Sequence, residues 1–127
     1  MAEFNAQHNR AVWFDIPVAD LDRAMEFYSR VCAIPVEKQE YDGYAFAVMH
    51  HTDGNGGCLV PKPEDITDKG ILVYMNAEGR IREATRLVGE FGGTVVEDVH
   101  SIGPHGFRTL LVDSEGNRLA LHSSMDG

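Results

Sequence analysis

Two halves of this sequence match each other at an offset of 60 residues, and this repeat constrains the fold more than any other feature. The offset aligns apolar and acidic positions alike, pairing Leu21 with Ile81, Ala24 with Ala84, Val36 with Val96, and Glu37 with Glu97. It also aligns Gly56 with Gly116 and Leu59 with Leu119 near the end of each half. A repeat of this length is one supersecondary unit, which cannot bury its apolar face alone. The sequence therefore predicts two like units that pack against each other.

Each half contains the same predicted order of elements, which is one strand, one amphipathic helix and three further strands. In the first half, Asp20 has the side chain of a helix N-cap, and the helix after it must end before Pro35. Apolar residues at helical spacing predict that one face of this helix packs on a sheet. The predicted strands of the first half are residues 11–18, 36–41, 44–51 and 57–60.

The second half restarts the pattern after a polar connector at residues 62–70. Its helix follows Ile81, Ala84 and Val88 and closes at Gly92. The predicted strands of this half are residues 71–76, 94–102, 106–113 and 117–123. We expect one domain over residues 1–127, with a flexible lead at 1–10, modules at 11–61 and 71–123, and a frayed tail at 124–127.

Composition bounds the class of protein and its partners. The chain has 127 residues, of which 43% are hydrophobic, enough for one globular domain with its own core. Its net charge of −9 repels phosphate backbones and anionic lipids, so neither nucleic acid nor a membrane is an expected partner. The two cysteines, Cys32 and Cys58, and an N-terminal stretch too polar for a signal peptide favour the cytoplasm.

Alternation along the strands divides their side chains between two faces of the predicted sheet. One parity is apolar and suits packing under the helices: Val12, Phe14, Ile16, Leu59, Leu72, Tyr74, Leu119 and Leu121. The other parity mixes polar and apolar side chains: Trp13, Asp15, Cys58, Val60, Val73, Met75, Arg118, Ala120 and His122. A mixed surface is typical of a cleft, so we expect the second set to line a binding site.

Two segments carry a resemblance to a known family, residues 16–28 (IPVADLDRAMEFY) and residues 106–122 (GFRTLLVDSEGNRLALH). With the repeat, they resemble the vicinal oxygen chelate superfamily of glyoxalases, bleomycin-resistance proteins and extradiol dioxygenases, in particular its small glyoxalase-related members. The resemblance covers about residues 11–123. It implies an α+β fold of two tandem βαβββ modules, which form an open, curved, barrel-like sheet of eight strands with the helices outside. It also implies a homodimer and a small organic ligand, but no single reaction.

Metal-using members of this superfamily carry their ligands on the first and last strand of each module. By position, the resemblance assigns these places to Trp13, to Val60 or its neighbour Cys58, to Val73 and to Ala120. Tryptophan, valine and alanine cannot ligate a divalent ion, which requires imidazole, carboxylate or thiolate donors. We therefore expect no metal and no other cofactor, which argues against glyoxalase I or ring-cleaving dioxygenase activity.

Polar residues on the cleft parity are the candidates for chemistry. Asp15 and His122 form either a proton-transfer pair or a buried hydrogen bond that only satisfies two polar groups. Arg118 either grips a carboxylate or phosphate on a ligand or is a solvated arginine at a strand end. His50 and His51 are adjacent in a predicted strand, so at most one of them can join a given site.

Trp13 is the candidate floor of the cleft. Its ring, with Val60, Val73 and Met75 around it, either stacks a flat or apolar small molecule or plugs the cleft. Cys58 has no activating base near it in the sequence, and a small buried thiol is the ordinary outcome for such a residue.

Three functions remain open on the sequence alone. The first is binding of a small organic molecule in the cleft without the usual metal, acting by sequestration or proton transfer. The second is a metal-dependent lyase, isomerase or dioxygenase with ligands relocated to a set drawn from His122, Asp15, His50 and His51. The third is a dimeric module without ligand chemistry. Whether the chain is an enzyme stays open at this point.

Overall fold

The computed structural model of this chain describes residues 8–127, so residues 1–7 of the predicted flexible lead lie outside the described residues. The described part contains eight strands and two α-helices. In order they are β1 (Asp15–Val18), α1 (Leu21–Val31), β2 (Val36–Tyr41), β3 (Tyr44–Met49), β4 (Cys58–Pro61), β5 (Tyr74–Asn76), α2 (Ile81–Glu90), β6 (Thr94–Ser101), β7 (Phe107–Val112) and β8 (Arg118–Ser123).

The strands form two four-stranded sheets, with the orders β1-β4-β3-β2 and β5-β8-β7-β6. In each sheet the leading strand lies at an edge and pairs in parallel with the last strand, whereas the other pairs are antiparallel. We call the first sheet with α1 the first module and the second sheet with α2 the second module. Because both modules have the same strand order and both sheets are open, the predicted fold of tandem βαβββ modules is confirmed.

Both helices begin where the sequence predicts. The carboxylate of Asp20 accepts a hydrogen bond from the backbone N–H of Arg23, which caps the first turn of α1. α1 buries Ala24, Phe27, Tyr28 and Val31, and α2 buries Ile81, Ala84, Thr85 and Val88. α2 ends shortly before Gly92, whose φ of 100° is the conformation that favours glycine after a helix. In residues 8–127, neither helix is long and apolar enough to cross a membrane.

One apolar core joins the two modules, because the helix-facing sides of both sheets contribute to it. The buried strand residues of this core are Ile16, Val18, Ala47, Met49, Leu59, Met75, Leu111, Leu119 and Leu121. Phe27 and Tyr28 of α1 and Ile81 of α2 are fully buried against them. Neither module could bury these side chains alone, in keeping with the packing of like units that the repeat predicts.

The turn between β7 and β8 fastens the second module to the first. Oδ1 of Asp113 accepts hydrogen bonds from the backbone N–H groups of residues 115–117, which closes the turn on itself. Oδ2 of Asp113 accepts a buried bond of 2.5 Å from Tyr28 Oη in α1. The amide of Asn117 donates to the carbonyl oxygen of Pro17 at 2.7 Å. We call residues 113–117 the locking turn.

Glu115, within the locking turn, binds the start of α1. Its carboxylate accepts hydrogen bonds from the backbone N–H groups of Ala19 and Asp20 and from the guanidinium of Arg23, whose Nε lies at 2.7 Å. Partial burial alone would raise the pKa of this carboxyl. The bonds from Arg23, Asp20, Ser114 and Ala19 together outweigh burial and hold the pKa of Glu115 at about 2.

The leading strand of each module is shorter than predicted. β1 starts at Asp15 instead of residue 11, and β5 starts at Tyr74 instead of residue 71. Each is an edge strand with one neighbour, and the paired stretch is four residues between β1 and β4 and three between β5 and β8. Trp13 therefore precedes β1, and Val12, which was predicted to pack under a helix, is exposed.

The side chains of β5 face the opposite way from the prediction. In the first module Asp15 pairs with Cys58, so the repeat predicts that Met75 pairs with Arg118. Met75 pairs instead with Leu121, three residues further along β8. Because side chains alternate along a strand, an odd shift in register turns the strand over.

The assignment of Val73 and Met75 to the cleft face of the sheet is therefore wrong. Met75 is buried in the core, and Val73 packs against that core from the same side of the sheet. Tyr74, which was predicted to lie under the helices, is 46% exposed on the helix-free face, opposite Ala120.

Candidate functional site

A pocket with a volume of about 640 Å³ is lined by residues of both modules. The first module contributes the residue before β1, the segment after α1 and residues 49–57, and the second contributes β5 and the connection to α2. The apolar part of the lining consists of Phe14, Ile34, Met49 and Met75. Cys32 joins this part as a neutral side chain, because burial raises the pKa of its thiol to about 12 against the opposing effect of Arg80.

Residues 50–57, which we call the pocket loop, form one wall of the pocket. His50 and His51 both line it. The prediction that at most one of them could join a given site is wrong because β3 ends at Met49, and both histidines lie beyond the strand where side chains no longer alternate.

The ring of His51 is held from two sides. Its Nδ1 lies 2.9 Å from the carbonyl oxygen of Gly54, and its ring meets Trp13 edge-on with 5.6 Å between the centroids. A ring nitrogen that faces a carbonyl carries the proton, so Nε2 of the neutral ring is an acceptor. His51 is therefore a positioned hydrogen-bonding side chain in the wall of the pocket.

Two glycines allow the pocket loop to pack closely on its neighbours. A Cβ atom on Gly56 would lie 2.8 Å from Cβ of His51, and one on Gly57 would lie 2.5 Å from the ring of Phe14. Contacts this short exclude a side chain at either position without a shift of the loop or of its neighbours.

β5 and the connection after it form the opposite wall. Tyr74 and Asn76 reach the pocket from β5, and Glu78 and Arg80 reach it from the connection. Nη1 of Arg80 donates to the last carbonyl of α1 at 2.7 Å. The hydroxyl of Ser124 and its backbone N–H both donate to Glu78. These bonds lower the pKa of the Glu78 carboxyl, and the bond from the hydroxyl has the larger effect.

The predicted site residues of the first module lie on the helix-free face of its sheet and do not line this pocket. The thiol of Cys58 donates to Oδ1 of Asp15 at 3.1 Å, and Val60 lies two residues along the same face. Cys58 and Val60 are buried, whereas Asp15 is exposed. The predicted roles of these residues, and of Trp13 as a cleft floor, stay predictions.

A row of polar side chains crosses the helix-free face of the second sheet. The strand register aligns His100, Arg108, His122 and Asn76 across β6, β7, β8 and β5. Nε of Arg108 donates to Nε2 of His100 at 3.2 Å, and Nη1 of Arg108 donates to Oη of Tyr74 at 3.0 Å. We call these five residues the Arg108 row.

His122 and Asp15 have different partners. Nε2 of His122 lies 2.7 Å from the carbonyl oxygen of His105, and its ring meets Tyr74 edge-on with 6.4 Å between centroids. Asp15 is bonded to Cys58 in the other sheet. Over residues 8–127 no hydrogen bond joins the predicted Asp15–His122 pair, so a shared role in proton transfer stays a prediction.

Arg118 lies at the other end of β8, on the same face as Ala120, which is fully buried. Its Nη2 donates to the carbonyl oxygen of Gly70 at 2.9 Å. Its Nε is buried and has no hydrogen-bond partner in the described part of the chain. The predicted grip of Arg118 on a ligand stays a prediction.

The donor set does not fit the metal that metal-using members of the superfamily hold. Nowhere in residues 8–127 do three His, Cys, Asp or Glu side chains lie close enough together to hold an ion. At three of the positions that the resemblance assigns to ligands stand Trp13, Val60 and Ala120, and none of them has a donor atom for a divalent ion. We derive no step through a metal.

Sequence reasoning missed Tyr74, Asn76, Arg80 and Arg108. A signal existed for Arg108, because the hairpin around the locking turn places it opposite His122. Tyr74 and Asn76 required the register of β5 on β8. Two parallel strands have no short turn between them to fix that register.

Comparisons with known proteins agree with this architecture. No protein-family model matches the chain. A protein from Didymella fabae described as glyoxylase-like domain-containing is 27% identical over 121 residues, which cover 90% of this chain and 93% of that protein. Together with the solved structures described next, this match confirms the predicted resemblance to the vicinal oxygen chelate superfamily.

Two solved structures show the same fold at low identity. A glyoxalase/bleomycin resistance protein/dioxygenase family enzyme from Burkholderia phytofirmans has a TM-score of 0.70 and 12% identity, covering 88% of this chain and 96% of that one. A genomically encoded fosfomycin resistance protein from Listeria monocytogenes has a TM-score of 0.68 and 12% identity, covering 91% and 93%. Identities this low establish the fold and leave the activity to be argued from the site.

Proposed function

We propose that this chain, which has the fold of the vicinal oxygen chelate superfamily, binds a small organic molecule in the pocket between its modules. The observation that carries this proposal is the pocket itself, which has about 640 Å³ of space between apolar side chains and a polar rim. Small-molecule sites typically occupy roughly 300–1,000 Å³ and combine an apolar lining with a few placed polar groups.

The two kinds of lining define what the pocket can hold. Phe14, Ile34 and Met49 offer an apolar surface for a ring or a short aliphatic group. His51 and Asn76 offer hydrogen-bonding groups at the rim. The ligand in this proposal is therefore a compact molecule with one apolar part and one polar part.

The pocket can act on such a ligand by sequestration or by proton transfer. Nε2 of His51 is the acceptor that could remove a proton, because Nδ1 already faces the carbonyl oxygen of Gly54. In this proposal the reaction uses no metal. The homodimer and the cytoplasmic location also stay predictions from the sequence.

The test is a fragment screen by ligand-observed NMR, followed by backbone amide shift mapping. We expect binders whose shift changes cluster on residues 49–57 and 74–80. His51→Ala should weaken these binders about fivefold or more, the equivalent of about 1 kcal/mol for one lost hydrogen bond. His105→Ala makes the same change at an exposed histidine outside the pocket and should leave affinity unaltered.

The third function, a module without ligand chemistry, predicts a different result. It is supported if no fragment shifts either set of amides while the chain remains folded. Binding that maps instead to Asp15, Cys58 and Val60 would move the site to the helix-free face of the first sheet.

A further inference from the structure

We propose that the Arg108 row recognises the anionic group of the ligand, so the molecule bound in the pocket carries a carboxylate or a phosphate. This inference rests on the proposed function, because it names the class of ligand for the same pocket. It starts from the way in which the guanidinium of Arg108 is held.

Arg108 is fixed by two neutral groups on neighbouring strands. Its Nε donates to His100 on β6 and its Nη1 donates to Tyr74 on β5. Three other arginines of the described chain pair with carboxylates: Arg23 with Glu115, Arg82 with Asp126, and Arg86 with Glu83 and Glu90. For Arg108, no such ion pair exists within residues 8–127. In a chain with a net charge of −9, this guanidinium is a positioned cation without a direct carboxylate partner in residues 8–127.

The hydrogen bonds of His100 fit the tautomer that carries its proton on Nδ1. Its Nδ1 lies 2.8 Å from the carbonyl oxygen of Asp98 and therefore carries the proton. Its Nε2 accepts from Arg108, so it has no proton to give to Glu97, whose carboxylate lies 3.8 Å away. Glu97 is thus a nearby carboxylate that neither His100 nor Arg108 binds directly, so the N–H donors of Arg108 are not occupied by it.

These bonds leave over one donor on each of two neighbouring side chains. Oη of Tyr74 accepts from Arg108, so the hydroxyl proton of Tyr74 is not used in that bond. Nη2 of Arg108 takes no part in either bond. A guanidinium N–H and a phenol O–H next to each other suit two oxygens of one carboxylate or phosphate, the geometry in which arginine binds anions most strongly.

The Arg108 row adjoins the pocket. Tyr74 and Asn76 belong to the row and also line the pocket, so the row begins at the wall that β5 forms. One ligand can therefore place an apolar group against Phe14 and Met49 and extend its anionic group past Tyr74. Arg108 reaches the pocket only through Tyr74, whereas Arg80 lines the pocket itself and is the main competitor for the anion.

The experiment compares two probes of nearly equal shape, phenylacetate and phenylacetamide, by NMR titration of the full chain. In the wild-type chain we expect phenylacetate to bind at least tenfold more tightly, which is the effect of a charge-assisted hydrogen bond worth about 1.4 kcal/mol or more. Arg108→Gln should remove this preference. Tyr74→Phe should reduce it about threefold, because one hydrogen bond is lost.

Three controls separate recognition from structure. Arg82→Gln removes an equal charge at an exposed position on α2 and should keep the preference. Arg80→Gln should keep most of it. Arg108→Lys retains the charge but loses the planar fork, so it should retain part of the preference. Amide spectra establish that each variant is folded, and Tyr74→Phe carries the test if Arg108→Gln does not fold.

The outcomes that overturn the inference are distinct from failure of the proposed function. Equal binding of the two probes to the wild-type chain overturns it, as does a preference that survives in Arg108→Gln. Loss of the preference in Arg80→Gln alone assigns the anion to Arg80 and also overturns it. If neutral fragments bind in the pocket while phenylacetate does not, the inference fails and the proposed function stands. If nothing binds, both fail.

Discussion

The pocket loop and the locking turn occupy corresponding places in the two halves of the repeat, yet they have different roles in the structure. The offset that pairs Gly56 with Gly116 also pairs Asp53 with Asp113. Asp113 is 3% exposed and holds both its own turn and Tyr28 of the other module. Asp53 is exposed, in a loop that forms the wall of a pocket. One copy of the segment builds the interface between modules, and the other builds a wall of the pocket.

The difference lies in what each segment packs against. The locking turn meets the start of α1, where Glu115 binds two backbone N–H groups and Arg23. The pocket loop instead meets its own His51 and the residue before β1, through glycines that admit close contact. The comparison teaches that a repeated sequence fixes where a turn occurs, whereas its surroundings decide whether it becomes an interface or a site.

Asp113→Ala gives the largest expected effect, because it removes the buried acceptor at the centre of the locking turn. The free energy of unfolding should fall by about 3 kcal/mol or more, since Tyr28 Oη and several N–H groups lose their partner. Chemical denaturation measures this loss. Asp53→Ala is the matched change in the pocket loop and should cost much less stability, because Asp53 is exposed. Equal losses of unfolding free energy in the two variants would contradict the different roles assigned to the two segments.

Gly57→Ala should have the next largest effect on stability and tests the packing of the pocket loop. The added Cβ would meet the ring and carbonyl oxygen of Phe14 at 2.5 Å, so the loop must move away. We expect a loss of about 1–3 kcal/mol in stability, as in other overpacked sites, and a change in fragment binding. Gly54→Ala is the control for stability, because its nearest neighbour, a backbone oxygen, would lie at an ordinary 3.5 Å. A stable Gly57→Ala variant with unchanged binding would contradict the packing described here.

Glu115→Gln should have the smallest effect, about 1 kcal/mol at neutral pH, because the amide keeps the shape but loses the charge. The pKa of Glu115 is about 2 in the folded chain and near 4.5 ordinarily. Its stabilising contribution is therefore present above about pH 4.5 and is lost as the pH falls toward 2. Thermal unfolding from pH 6 to 2 should show a shallower decline for Glu115→Gln than for the wild-type chain. Glu64→Gln, at an exposed position, should follow the wild-type curve.

The sequence predicted the helices and the module order well because both depend on local patterns. The N-cap at Asp20, the buried stripe of α1 and the close of α2 before Gly92 follow from residue types a few positions apart. β2 also begins and ends where predicted, at Val36 and Tyr41.

The candidate site was less predictable because it depends on register and on strand length. A three-residue shift of β5 exchanged Met75 for Tyr74 on the helix-free face, and no local pattern encodes that shift. Because β3 ends at Met49, both His50 and His51 belong to the pocket loop. The prediction assumed that side chains alternate along continuous strands. That assumption predicts neither the turned face of β5 nor the presence of both histidines in the pocket loop.

The contact between Trp13 and His51 also provides an intrinsic fluorescence probe of the pocket. The chain has one tryptophan, so all indole emission comes from a ring set edge-on to a histidine in the pocket wall. Any ligand that displaces the imidazole, or any proton that it gains, alters the quenching of that emission. Occupancy of the pocket can thus be followed by intrinsic fluorescence in the unlabelled wild-type chain, and the signal should vanish in His51→Ala.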